Sequence, residues 1–155
     1  MYRSHPGSLP RQNAQPYDSP KLSAQFFRQA AVFNAWGFYR SQLMQEAHTL
    51  GHPVARHMWL VFPSDAHTAQ CDTQFMVGSE ILHAPVLQEG LSRVHVYLPQ
   101  GSGTWVSAWN QSLTWTAGQG RTVEVDAPLG YPVALIRQNS NVGQQFAQNL
   151  KNISS

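Results

Sequence analysis

Val94-His95-Val96-Tyr97-Leu98-Pro99-Gln100-Gly101-Ser102-Gly103-Thr104-Trp105 decides the fold class. Val94, Val96 and Leu98 alternate with His95 and Tyr97, the period of two that puts one apolar face on a strand. Pro99 and the two glycines then punctuate the chain, as a turn requires. Val123-Glu124-Val125-Asp126 repeats the alternation after a second glycine-rich turn at 117–120. Further short apolar runs occupy 54–62, 74–77, 81–87, 104–109 and 132–137. Many short strands at such spacing predict an antiparallel β-sandwich.

Outward from this β region the pattern changes. Val142, Phe146, Leu150 and Ile153 are spaced for a short amphipathic C-terminal helix. On the other side, Ser19-Pro20 is a helix start, with serine to cap free N–H groups and proline at the first helical position. Leu22, Phe26, Ala30 and Phe33 follow at helical spacing, then Trp36, Arg40, Leu43, Ala47 and Leu50. Gly37 lies near the join, so two consecutive helices or one kinked helix are expected. Gly51 and Pro53 end it. Residues 1–19 are proline-rich and read as an extended loop. A helix pair with no strong strand beside it reads as a piece of a larger architecture.

Of the 155 residues, 12% are charged, where about a quarter is usual. Glutamine, asparagine, serine and threonine supply the polarity, which suits a turn-rich β protein. The net charge is +2 and the arginines are scattered, so no nucleic-acid footprint is expected. The longest apolar run, 58–62, is far short of the roughly 20 residues of a membrane span. The N-terminus has no apolar signal region. A single cysteine, Cys71, fits a reducing compartment, and a cytoplasmic protein is expected.

The side chains that carry chemistry form no self-evident site. His48 and His52 share a helical spacing, but a third metal ligand is lacking nearby. Cys71 with His67 and Asp72 could form a nucleophilic pair, against the plainer reading of a structural thiol. Glycoside cleavage needs two carboxylates roughly 5–10 Å apart, and no spacing here singles out a pair. Glu124 and Asp126 share one strand face, as exposed strand residues commonly do. Trp59, Trp105, Trp109, Trp115, Tyr97 and Tyr131 could stack on sugars, although core packing is the commoner role of tryptophan in strands.

Several stretches, in chain order, resemble family 31 of the glycoside hydrolases. Arg3-Ser4-His5 with Gly7 resembles the Arg-Ser/Thr-His motif of the last barrel strand. Phe38-Tyr39, Leu43, Glu46-Ala47, Gly51, Pro53-Val54 and Arg56 resemble the last barrel helix and the entry to the sandwich, and Pro63 and Asp65 match the next turn. Asp72, Gln74-Phe75, Gly78, Leu82 and Ala84-Pro85-Val86 resemble the stretch that follows. Val96-Tyr97-Leu98-Pro99, Gly101, Trp105 and Trp109 resemble the family's hairpin. Residues 123–129 with Pro132-Val133 resemble its closing strands.

The resemblance implies a mainly β fold: a C-terminal β-sandwich (54–155) preceded by the last strand and helix of a (β/α)8 barrel (1–53), with a short C-terminal helix. It implies a retaining α-glycosidase acting on O-glycosyl bonds, with an aspartate nucleophile and an aspartate acid/base. Both are upstream of the Arg-Ser-His motif in the family, so no catalytic carboxylate is assigned here. His5 is implied as a hydrogen-bonding contact to the sugar, as expected at the end of a barrel strand, and Arg3 as a second substrate contact. No metal or cofactor is implied.

The His5-Pro6-Gly7 turn, Asn13 with Gln15, Asp65-Ala66-His67-Thr68 and Leu150-Lys151-Asn152-Ile153 point to the sulfoquinovosidase-like branch. The expected partner is a carbohydrate, an α-glucoside or sulfoquinovoside. A barrel fragment or a second copy of the chain is a further possible partner. A carbohydrate-binding or purely structural sandwich is the alternative. Three departures stand out: His57-Met58, His83 in a core strand, and an expanded 101–104. A buried, unpaired His83 would cost about 1–3 kcal/mol, as expected of a drifting sequence.

Overall fold

The computed structural model describes Gln15 and residues 17–154. Ser19 accepts a hydrogen bond from the Leu22 N–H at 3.2 Å, and Pro20 opens helix α1, Pro20–Ala35. Trp36 breaks the helix (φ −103°, ψ 12°) and α2, Gly37–Leu50, continues from it until Gly51 turns left-handed at φ 74°. The expectation of two consecutive helices is met in its two-helix form.

Among the described residues eight strands form: β1 (Ala55–Arg56), β2 (Phe75–Val77), β3 (Ile81–Ala84), β4 (Arg93–Leu98), β5 (Thr104–Ser107), β6 (Thr114–Thr116), β7 (Arg121–Asp126) and β8 (Val133–Arg137). All pairings are antiparallel. Six strands form one sheet in the order β1-β2-β3-β8-β5-β6, while β4 and β7 form a second, two-stranded layer. Between the layers lies one core, with Met76, Leu82, Trp105 and Leu135 of the large sheet against Val96, Leu98 and Val125 of the pair. The other face of the large sheet carries Ile81, Val106, Ala134 and Ile136. It packs under Tyr39 and Leu43 of α2 and under Phe146 and Leu150 of the C-terminal helix, whose bounds are Asn141–Ser154. Strand β8 is therefore covered on both faces, which is why Val133-Ala134-Leu135-Ile136 is apolar without alternation. The expected β-sandwich with a short C-terminal helix is present. The expected barrel strand falls within residues 1–14, outside the described residues.

Two local expectations are corrected and one strand is added. The run 54–62 is a two-residue strand followed by a short helix, α3 (Met58–Val61). His57 caps that helix by accepting the Trp59 N–H at 3.2 Å, and Met58 is fully buried. So His57-Met58 is a cap and an anchor. Strand β6 went unread because Thr114-Trp115-Thr116 is too short to show a period. The stretch expected to be a hairpin at 96–109 is no hairpin: β4 pairs with β7, whereas β5 pairs with β6 and β8. Residues 99–103 carry the chain from one layer to the other, with Gly101 and Gly103 at φ 67° and 82°. That crossing explains the extra length there.

Candidate functional site

The connection from β1 to β2 holds three of the buried polar side chains, Asp65, Thr68 and Gln74. Asp65, 7% exposed, caps the 3-10 turn Ala66–Gln70 by accepting the His67 N–H at 3.0 Å. Its other oxygen accepts the Tyr97 hydroxyl at 2.9 Å and the Gln100 N–H at 2.8 Å. Burial alone would raise the Asp65 pKa, but the bonds from Gln100, Tyr97 and His67 outweigh it and hold the carboxylate below its ordinary range. Burial, then the bond to Asp65, pushes Tyr97 up to about 12. Gln74 completes the corner by donating to the Tyr97 carbonyl at 2.8 Å and accepting its N–H at 2.7 Å. The same carboxylate lines a cleft of about 380 Å³ with Val61, Phe62, Ser64 and Gln100. With both oxygens taken up by donors, Asp65 is a clamp on the layer crossing, not a free acid or base.

Five other described carboxylates hold local structure too. Glu46 receives His52 at 2.8 Å and Arg56 at 2.7 Å, and the bond from His52, followed by that from Arg56, lowers its pKa. Glu80 accepts the Ser79 hydroxyl, and Asp18 accepts the Gln15 N–H. Glu124 and Asp126 do share one face of β7, where Arg93 neutralises both at 2.9 and 3.0 Å. None of these forms the facing pair that glycoside cleavage needs.

His52 turns to Glu46 rather than to His48, and no group of three metal-ligating side chains exists among the described residues. Cys71 is buried, its pKa raised by that burial, and its contact with residue 67 is to the backbone carbonyl at 3.6 Å. The His67 ring stacks on Tyr97 instead. The structural reading of the thiol holds.

The tryptophans sort by depth. Trp105 is fully buried and donates to the Ser102 hydroxyl at 2.8 Å. Trp109 donates to the Pro132 carbonyl at 2.7 Å. Trp59, at 49% exposure, is the exposed tryptophan among the described residues.

His83 stands on the helix-facing side of β3, in the wall of an apolar cavity of about 240 Å³ with Val32, Trp36, Phe75, Trp109 and Phe146. Its Nδ1 meets the Val133 carbonyl at 2.7 Å. A carbonyl only accepts, so Nδ1 carries the proton. Burial lowers the imidazole's pKa and keeps it neutral. The polar residue has its partner, and the inference of drift from an unpaired His83 is withdrawn.

His5 and Arg3 lie outside the described residues. Sequence reading missed the long-range polar contacts. Asp65 to Tyr97 and Arg137 to the Ser79 carbonyl span 32 and 58 residues, and no local spacing encodes such pairs. Only the cap Asp65-Ala66-His67 was there to be read.

Residues 51–142 match the family described as "Glycosyl hydrolase family 31 C-terminal domain". The chain is similar to the sulfoquinovosidase of Escherichia coli (strain K12), 36% identical over 153 residues, which cover 99% of this chain and 22% of that protein. It is also similar to the sulfoquinovosidase of Agrobacterium fabrum, 34% identical over 96% of this chain and 22% of that protein. Among solved structures, a family 31 sulfoquinovosidase from E. rectale with an aza-sugar inhibitor superposes at a TM-score of 0.83. It is 29% identical, over 92% of this chain and 20% of that one. The chain thus spans about a fifth of the length of the relatives it matches.

Proposed function

Because the chain belongs to glycoside hydrolase family 31, we propose that it is the C-terminal part of a retaining α-glycosidase. The enzyme hydrolyses O-glycosyl bonds of a sulfoquinovoside or α-glucoside. The observation that supports this is the alignment of nearly the whole chain with the C-terminal fifth of sulfoquinovosidases. In this reading residues 1–53 complete the catalytic barrel and 54–155 buttress it. His5 and Arg3 contact the sugar, and the nucleophile and acid/base come from the barrel upstream. The structural roles of Asp65, Glu46, Glu124 and Asp126 fit that division of labour. A cytoplasmic location goes with the same reading, since one buried thiol suits a reducing compartment.

The test is reconstitution. The purified chain alone releases no nitrophenol from nitrophenyl α-glucoside or α-sulfoquinovoside. Mixed with the E. coli sulfoquinovosidase lacking its own C-terminal fifth, it restores turnover, and His5→Ala removes it. Turnover by the chain alone, or none in the mixture, overturns the proposal. The exposed Trp59 favours one second reading, a carbohydrate-binding module. Calorimetric titration with oligosaccharides, with heat lost in Trp59→Ala, would support it instead.

A further inference from the structure

His83 stands between two apolar spaces. Inward, its ring belongs to the wall of the cavity of about 240 Å³ that the helices and the large sheet enclose. Outward, the same ring and Pro132 line a groove of about 260 Å³ with Pro85, Val86 and Leu129. Val86 and Leu129 are exposed, at 40% and 72%, so the groove opens on solvent. Cavity and groove share two residues, and a small molecule has a way in. The cavity is larger than the roughly 150 Å³ that suffices to hold benzene in a protein core.

The lining sets the chemistry. Trp36, Phe75, Trp109 and Phe146 put four aromatic rings in the wall, and no charged side chain lines it. The Trp109 N–H is spent on the Pro132 carbonyl, and the His83 Nδ1–H on the Val133 carbonyl. With Nδ1 protonated, the other ring nitrogen, Nε2, is an acceptor. Phe75 stands edge-on to the imidazole at 5.0 Å and helps to fix its orientation. Water needs two to four polar partners, and this wall is almost wholly apolar. An aromatic ring fares better there, because it buries apolar area against ring edges and faces. A ligand without a donor would leave Nε2 unpaired, which costs affinity.

We propose that the cavity binds a small monocyclic phenol, whose ring packs among the four aromatic side chains and whose hydroxyl donates to His83 Nε2. The walls come from α1, the large sheet and the C-terminal helix, so the ligand fastens the helical layer to the sandwich. This site goes beyond the glycosidase reading and does not depend on it, since an apolar wall without charged side chains does not suit a sugar.

The probe is 4-methylphenol, titrated into the 155-residue chain at pH 8 and followed by calorimetry and methyl NMR. It binds with a Kd at or below about 1 mM, within reach of a ligand of about eight heavy atoms. The melting temperature rises with its concentration, as it does for any ligand of the folded state. Shifts centre on the methyls of Val32, Val77 and Ala134, which line the cavity. 4-Methylanisole, which lacks the donor, binds about tenfold more weakly. In His83→Val that preference disappears while both compounds still bind. Should His83→Val not melt cooperatively, the comparison of the two compounds on the unaltered chain decides. Absence of saturable binding by 4-methylphenol overturns the proposal, and so do shifts scattered over methyls outside the cavity. Equal affinity for the two compounds overturns the bond to His83 and with it the assignment to a phenol.

Discussion

Asp65 joins three segments through two oxygens, so its loss strands three donors at once. Asp65→Ala is expected to lower unfolding free energy by ~2–4 kcal/mol, and Asp65→Asn, which keeps one acceptor, by less. Urea unfolding measures both. Its folded pKa lies below the ordinary 3.8. Its stabilisation is therefore complete above that ordinary value and disappears as pH falls through the folded pKa. His83 works with the opposite proton balance. It is held neutral, so the unfolded chain takes up a proton near the ordinary 6.5 that the folded chain refuses. Stability then falls as pH drops below 6.5, and the fall shrinks in His83→Val. At pH 8 that variant melts lower, not higher, because the Val133 carbonyl loses its 2.7 Å donor. A rise in melting temperature would show the bond to be of no value.

At the scale of elements, α1 and the turn after β2 are the informative pieces. Ser19→Ala removes the cap on α1 and should cost about 1 kcal/mol, read by thermal melting. Gly78 has φ 58°, and a Cβ there would run into the Tyr39 hydroxyl and Leu43. That close approach lets the Ser79 N–H reach Tyr39 at 3.2 Å. Gly78→Ala should therefore pry α2 off the sheet, costing more than 1 kcal/mol through strain and lost packing. Loss of near-ultraviolet dichroism from the helix-facing aromatics would accompany it. Elements with a clear period were readable: β4 and β7 contain the alternating stretches 94–98 and 123–126, and α1 starts where Ser19-Pro20 predicts. The run 54–62 was not, since His57 as a cap and Met58 as a buried anchor look like strand residues until the chain turns.

The whole molecule depends on one sheet buried on both faces. Leu135→Ala, in the fully buried centre of β8, should cost ~2–5 kcal/mol. The helix layer leaves Phe27, Met44 and Leu50 at 60–69% exposure. Apolar surface of that kind promotes association, so light scattering of the isolated chain should show a mass that rises with concentration, less so for Phe27→Gln. A mass constant at one chain would count against a covered face in the native assembly. By itself the sequence determined the β character, the helical prefix and C-terminal helix, and the resemblance to family 31. Alternation, caps and ordered motifs act over neighbouring residues, and a chain displays them without being folded. Tertiary structure alone decided that β4 joins β7 across a layer crossing, that Asp65 clamps it and that His83 is paired. Those facts are contacts between residues far apart in the chain, and proximity of that kind comes into being only when the layers close.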